Sequence, residues 1–115
     1  APLHYALGLA LVRYGEQNAA IDALGRAAEL DPGNPRFAYV HGIALNSAGR
    51  DHEAVEALEQ NHRLHPGDRD TLFALSTISR DAGRREAAVH WADKLVALDP
   101  ADAGAQQLRQ SLQPD

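Results

Sequence analysis

The chain has 115 residues, of which 44% are hydrophobic and 23% charged, and its formal net charge is −5 at pH 7. This is the size of one folded domain, and the composition is not that of a disordered acidic tail. The absence of cysteine excludes disulfides, cysteine-ligated zinc or iron–sulfur sites and CxxCH haem attachment within this chain. No apolar run approaches the ~18 residues of a membrane span, and the acidic balance argues against nucleic-acid binding.

The spacing of apolar residues predicts seven helices. In the first helix, Leu3, Leu7 and Leu11 recur on one face, and Gly15 follows as a residue that can take positive φ after a helix end. The second helix ends before Pro32, because proline disfavours helix at the preceding residue. The same order then repeats along the chain. The predicted helices span residues 2–14, 18–30, 36–48, 52–64, 70–82, 86–98 and 103–112.

The chain repeats itself every 34 residues. When it is written in rows beginning at Ala1, Pro35 and Arg69, four columns are identical in all three rows. Each row holds two helices, so the repeating unit is a helix–turn–helix pair. The identical columns are Gly15/Gly49/Gly83, Ala20/Ala54/Ala88, Leu30/Leu64/Leu98 and Pro32/Pro66/Pro100.

Each row also ends in a residue that can cap the following helix. Asn34 precedes Pro35, which is the order of an N-cap residue followed by proline at the first helical position. Asp68 and Asp102 occupy the same column. We therefore expect three helices to begin with a side chain that accepts a hydrogen bond from the backbone.

A 34-residue period, two helices per row and a terminal proline resemble the tetratricopeptide repeat. The resemblance implies an all-α fold, a right-handed superhelical solenoid of three repeats (1–34, 35–68 and 69–102) in a single domain. It also implies a C-terminal capping helix at 103–112, which fits the apolar stripe of Ala105, Leu108 and Leu112. Row one carries the family pattern most fully, through Leu7, Gly8, Leu11, Ala20, Leu24, Ala27 and Pro32.

Some packing columns hold polar residues in place of the family's apolar or small ones. His41 replaces leucine at column 7, Asn61 replaces alanine at column 27, and Ser76 and Ser79 replace residues at columns 8 and 11. Buried polar groups need partners. Two arrangements of His41 and Asn61 are open: a hydrogen bond between them, or half-exposed positions at a ridge.

The resemblance implies a concave face built by the first helix of each pair. Column 5 is aromatic in all three rows, which suits an extended peptide or an amphipathic helix. The alternative is that these rings pack between adjacent first helices and expose only an edge. The predicted peptide-binding groove consists of Tyr5, Leu9, Val12, Tyr39, Ile43, Asn46, Phe73, Thr77 and Arg80.

One known activity of the family, the capture of a C-terminal carboxylate, needs Lys, Asn and Arg at set columns. The chain does not carry these residues, so capture of that type is not expected. The corresponding positions hold Tyr5, Leu9, Val40, Asp70 and Ala74.

The sequence predicts neither an enzyme nor a cofactor or metal site. It contains no GxSxG, HExxH, GxxxxGKS/T or GxGxxG motif. His62 and His65, with Glu59 one turn earlier, lie near a helix end, where histidine interacts favourably with the helix dipole. A zinc site would need three or four converging ligands.

The predicted function is protein–protein interaction, with a peptide or helix bound along the concave face. The alternative is a structural scaffold domain, without a ligand of its own, in a larger bacterial enzyme or electron-transfer protein. Three stretches, HYALGLALVR, LNSAGR and RDAGR, give a loose similarity to tetratricopeptide tails of bacterial multihaem cytochromes. Since no Met opens the chain, we expect a piece of a longer protein or a processed chain. Self-association through Leu3 and Leu7 is a third expectation.

Overall fold

The computed structural model describes residues 2–113, and over that range the regular secondary structure is entirely α-helical. All seven predicted helices are confirmed, with each end within one residue of its predicted position. The helices are α1 (Pro2–Arg13), α2 (Gln17–Leu30), α3 (Pro35–Ser47), α4 (Asp51–Leu64), α5 (Arg69–Asp81), α6 (Arg85–Leu98) and α7 (Ala103–Ser111).

The turns and caps follow the sequence chemistry. Gly15, Gly49 and Gly83 have φ of 78°, 79° and 78° and close the turns inside the three helical pairs, in a region that costs glycine nothing. The predicted caps also form: the side chain of Asn34 accepts from the backbone N–H of the second helical residue at 3.0 Å. Asp68 and Asp102 accept in the same way at the starts of α5 and α7.

Within the first two pairs, a glycine lets the helices approach closely. A Cβ added to Gly8 would lie 2.5 Å from the Cγ of Leu24, and one added to Gly42 would lie 2.7 Å from the Cγ of Leu58. Both leucines are fully buried. The glycine of the first helix therefore forms the seat for the leucine of the second.

In the third pair, different residues occupy the positions of the glycine and the leucine. Ser76 stands where the other rows have glycine, and its hydroxyl donates to the carbonyl of Ala88 at 2.8 Å. Ala92 stands where the other rows have leucine, so a smaller side chain on α6 accompanies the larger one on α5. The polar group that the sequence places in this packing column is thus satisfied by the backbone of the partner helix.

The described residues fall into two compact units, divided between Pro66 and Gly67. In the first unit, α1 pairs with α2, α3 pairs with α4, and α2 packs on α3. In the second unit, α5 pairs with α6 and α7 packs on α6. The predicted stripe of α7 is buried here: Ala105, Leu108 and Leu112 join one apolar cluster with Leu72 and Leu95. None of the helices described is long and apolar enough to cross a membrane.

Candidate binding site

The nine residues predicted to line a groove lie on the first helix of each pair. Tyr5, Leu9 and Val12 are on α1, Tyr39, Ile43 and Asn46 are on α3, and Phe73, Thr77 and Arg80 are on α5. The first six belong to the first unit and the last three to the second.

In the first unit, the structure brings Leu9, Val12 and Ile43 together around one cavity of about 160 Å³. The cavity lies where α1, α2 and α3 meet, because columns 9 and 12 of one helix face column 9 of the next. Its remaining lining is formed by Gln17, Ala20, Leu24, Val40, Ala44 and Ser47.

The cavity is apolar and open to solvent. Leu9 is 39% exposed and Val12 is 51% exposed, although both are large aliphatic residues. The lining holds no charged side chain. Apolar cavities of about 150 Å³ hold a benzene-sized group. The arrangement can therefore accept one apolar side chain from outside.

The aromatic residues of column 5 make contacts inside their own units. The ring of Tyr5 packs on Phe37 with centroids 4.8 Å apart, tilted by 37°. The guanidinium of Arg36 lies 5.1 Å above the ring of Tyr39, a cation–π contact within α3. All three rings are half-buried or buried. The contact of Tyr5 with Phe37 therefore joins α1 to α3, whereas the cation–π contact of Tyr39 stays within α3.

Phe73 of the second unit repeats the arrangement of Tyr39. The guanidinium of Arg69 lies 5.1 Å from its ring centroid. Thr77 donates its hydroxyl to the Ala74 carbonyl at 3.2 Å, and Arg80 pairs with Asp81 at 3.1 Å. The polar residues of this predicted set are therefore engaged within α5.

Sequence reasoning missed several residues of the cavity. Val40, Ala44 and Ser47 were outside the predicted set, yet they line it together with Ile43. The signal was present, since positions 40, 43, 44 and 47 follow the spacing of a single helix face. Phe37 lies outside this cavity but packs on Tyr5. No comparable signal marks it in the sequence, because column 3 is aromatic in the second row alone.

His41 and Asn61 also find their places in the first unit. The side-chain amide of Asn61 donates to the Pro35 carbonyl at 3.1 Å, so this bond goes to α3 backbone and not to His41. Burial, and secondarily the charge of Arg50, lowers the pKa of His41 below 6.5. Its ring lies against Gly25, whose added Cβ would be 3.1 Å from the imidazole Nε2. Within residues 2–113, no group of three or more His, Cys, Asp or Glu side chains could hold a metal ion.

Comparison with known proteins gives matches to repeat proteins. The family model described as tetratricopeptide repeat matches residues 1–34. Curated protein sequences gave no significant match. MamA from Desulfovibrio magneticus RS-1 superposes with a TM-score of 0.82 at 23% identity, over 96% of this chain and 63% of that chain.

Two further solved structures carry tetratricopeptide repeats in their descriptions. The Sgt2 domain from Aspergillus fumigatus gives a TM-score of 0.82 at 18% identity, over 96% of this chain and 75% of that chain. The first such domain of Spaghetti (RPAP3), bound to the HSP90 peptide SRMEEVD, gives 0.81 at 15% identity, over 96% and 87%.

These similarities agree with the 34-residue period and the seven helices. The chain spans less than two thirds of the length of MamA, so the likeness concerns the fold. Residues 1–34 thus match the tetratricopeptide-repeat family in sequence, and the chain shares the fold of solved tetratricopeptide-repeat structures.

Proposed function

We propose that the chain is a non-enzymatic protein-interaction module that binds a peptide or a helix on the α1/α3 face. The observation that carries this proposal is the open apolar cavity beside Leu9, Val12 and Ile43. Large aliphatic side chains that line a concavity and remain exposed are typical of interaction sites, where a partner's apolar anchor removes them from water.

The charges on α1 and α3 indicate which flanking residues a partner segment should have. Arg13 and Arg36 are the charged residues of these two helices, and neither helix contains Asp or Glu. A partner segment with an apolar anchor and neutral or acidic flanks suits this face, whereas basic flanks would be repelled.

The proteins of similar fold support a binding role. The residues of this chain indicate that its mode of peptide recognition would differ from the capture of a terminal carboxylate. The RPAP3 domain is bound to a peptide in its structure. In this chain, the columns that would clamp a terminal carboxylate hold other residue types, among them Tyr5, Leu9 and Val40. Recognition would therefore depend on an apolar anchor inserted between α1 and α3.

The absence of native cysteine allows a direct test. The variant Ser47→Cys, labelled with an environment-sensitive fluorophore, places a reporter in the cavity lining. The probe is an amphipathic 15-residue peptide with leucines at helical spacing and Glu/Gln elsewhere. A matched peptide has serine in place of each leucine. We expect a saturable fluorescence change with the leucine peptide and none with the serine peptide.

Val12→Asp should weaken binding of the leucine peptide by about tenfold or more, because it puts a charge at the mouth of the cavity. Leu30→Asp is the matched control, since Leu30 is 55% exposed and does not line the cavity. Equal affinities for both peptides, or equal losses in both variants, would contradict the proposal and favour a scaffold domain without a ligand of its own.

A further inference from the structure

A second and larger cavity lies elsewhere in the first unit and is lined by residues of α2, α3 and α4. Its volume is about 360 Å³, more than twice that of the cavity between α1 and α3. The two cavities share no lining residue. The lining of the larger cavity is Gly25, Ala28, Glu29, Pro32, Ala38, His41, Ala57, Gln60, Asn61 and Leu64.

The lining combines small apolar residues with a few polar groups. Ala28 on α2, Ala38 on α3 and Ala57 on α4 contribute small apolar side chains to the lining. Glu29 is the one formally charged residue among the lining side chains at neutral pH. Gln60 and Asn61 add amides on the α4 wall. A long side chain with an apolar stem and a cationic head matches this distribution of groups.

The two helices that form the walls are strongly acidic. Their six carboxylates and two arginines give a formal charge of −4, whereas α1 and α3 carry two arginines and no carboxylate. Charge is thus separated by helix within the first unit, and the potential around the larger cavity favours cations. The carboxylates are Asp22, Glu29, Asp51, Glu53, Glu56 and Glu59, and the arginines are Arg26 and Arg63.

His41 forms part of the cavity lining and is chemically compatible with a cation. It occupies a column where the other rows have Leu7 and Leu75, and its ring fits against Gly25. Because burial lowers its pKa, the imidazole is neutral at neutral pH and does not oppose a positive guest. A neighbouring cavity of about 290 Å³ shares Gly25, Glu29 and His41. The charged groups around His41 are Asp22, Arg26 and Glu29 from α2, and Arg50 and Glu53 from the start of α4.

We propose that the cavity between α2 and α4 is a docking site for an arginine or lysine side chain of a partner protein segment. The methylene stem lies against Ala28, Ala38 and Ala57, and the cationic head reaches the Glu29 carboxylate. This surface is distinct from the α1/α3 face and calls for the opposite charge in its partner. The two proposals therefore stand or fall separately.

The test uses nine-residue Gly/Ser/Ala peptides with one central residue, either Arg, Lys, Gln or Glu, titrated into isotope-labelled protein. We expect the Arg and Lys peptides to shift the amide resonances of Gly25, Ala28 and Gln60 in a saturable way. Glu29→Gln should weaken this binding about tenfold, since a charge-assisted hydrogen bond is lost. Glu16→Gln removes the same charge from the exposed turn before α2 and should leave the affinity within twofold.

The pH dependence supplies an independent readout. Acidification from about pH 7.5 to about pH 5 raises the protonated fraction of His41, which should weaken binding of the Arg peptide to the native chain. In His41→Leu, the residue of the other rows, this weakening should be smaller. The proposal is overturned if Gln and Arg peptides bind alike, if Glu16→Gln and Glu29→Gln lose affinity equally, or if the shifts lie on α1 and α3.

Discussion

The contact between Gly42 and Leu58 allows a quantitative test of how the helical pairs close. In Gly42→Ala, the new Cβ would lie 2.7 and 2.8 Å from the Cγ and Cδ2 of Leu58. The optimal separation of two carbon atoms is about 3.5–4.0 Å, so the contact is short by about 1 Å. Leu58 is fully buried and cannot swing into solvent, so the helices must move apart or the leucine must leave its rotamer.

The magnitude follows from two opposing effects. Overpacking of a close-packed site costs about 1–3 kcal/mol, and the buried position of Leu58 places this site at the upper end. Replacing glycine by alanine inside a helix returns about 1 kcal/mol. We therefore expect Gly42→Ala to lower the free energy of unfolding by about 1–2 kcal/mol. At a urea m-value of about 2 kcal/mol/M, the midpoint falls by about 0.5–1 M.

Urea denaturation followed by far-UV circular dichroism measures this change. Gly67→Ala is the control, because its added Cβ meets nothing within 4 Å and its φ lies outside the left-handed region. That variant should be neutral or slightly stabilising. The double variant Gly42→Ala with Leu58→Ala should lose less stability than the sum of the single variants. Leu58→Ala removes the clash with the new Cβ, and the new methyl group fills part of the void that Leu58→Ala leaves. Additive losses, or a stabilised Gly42→Ala, would refute the seat model.

Three further predictions concern the second unit. Ser76→Ala should cost about 1 kcal/mol in urea denaturation, because the buried hydrogen bond to Ala88 is lost; Thr77→Ala, on the half-buried neighbour, is its control. Leu108→Ala should cost about 2–5 kcal/mol, since this side chain is 5% exposed in the cluster that anchors α7. A change below about 1 kcal/mol would show that α7 does not cap. The hydrogen bond from Arg69 lowers the pKa of Asp102 below its ordinary 3.8, so the stability it contributes is present above that value and lost as pH falls through the lower folded pKa. Between about pH 5 and about pH 2.5, Asp102→Asn should therefore lose less stability than the native chain, and parallel curves would contradict this assignment.

The fold could be predicted because repetition constrains the same columns three times. Glycine, alanine, leucine and proline recur at a 34-residue interval, and each recurrence reports a backbone requirement or a close contact. Gly15 and its equivalents take positive φ, and Asn34 and its equivalents cap helices. The turn glycines and the helix caps are local features, so both can be predicted without the tertiary arrangement.

The surfaces could be predicted less completely, because they depend on side chains that do not recur. Leu9, Val12 and Ile43 were placed correctly on first helices, but Phe37 and Val40 occupy columns with no repeated character. The bond from Asn61 to the Pro35 carbonyl could not be found by matching side chains with each other, since its acceptor is backbone. A polar residue at a packing column therefore shows that the family pattern is broken there, but it does not show which group the polar side chain bonds.

The separation of charge by helix has a consequence for how the two cavities function. Because the α1/α3 face carries arginines alone and the α2/α4 face carries mostly carboxylates, one partner segment cannot satisfy both electrostatically. The two cavities also share no lining residue, so a substitution in one leaves the walls of the other unchanged. Occupation of both would therefore bring together two segments of opposite character, an apolar anchor with acidic flanks and a basic side chain. Val12→Asp should weaken binding at the first cavity alone, and Glu29→Gln should weaken binding at the second cavity alone, each by about tenfold.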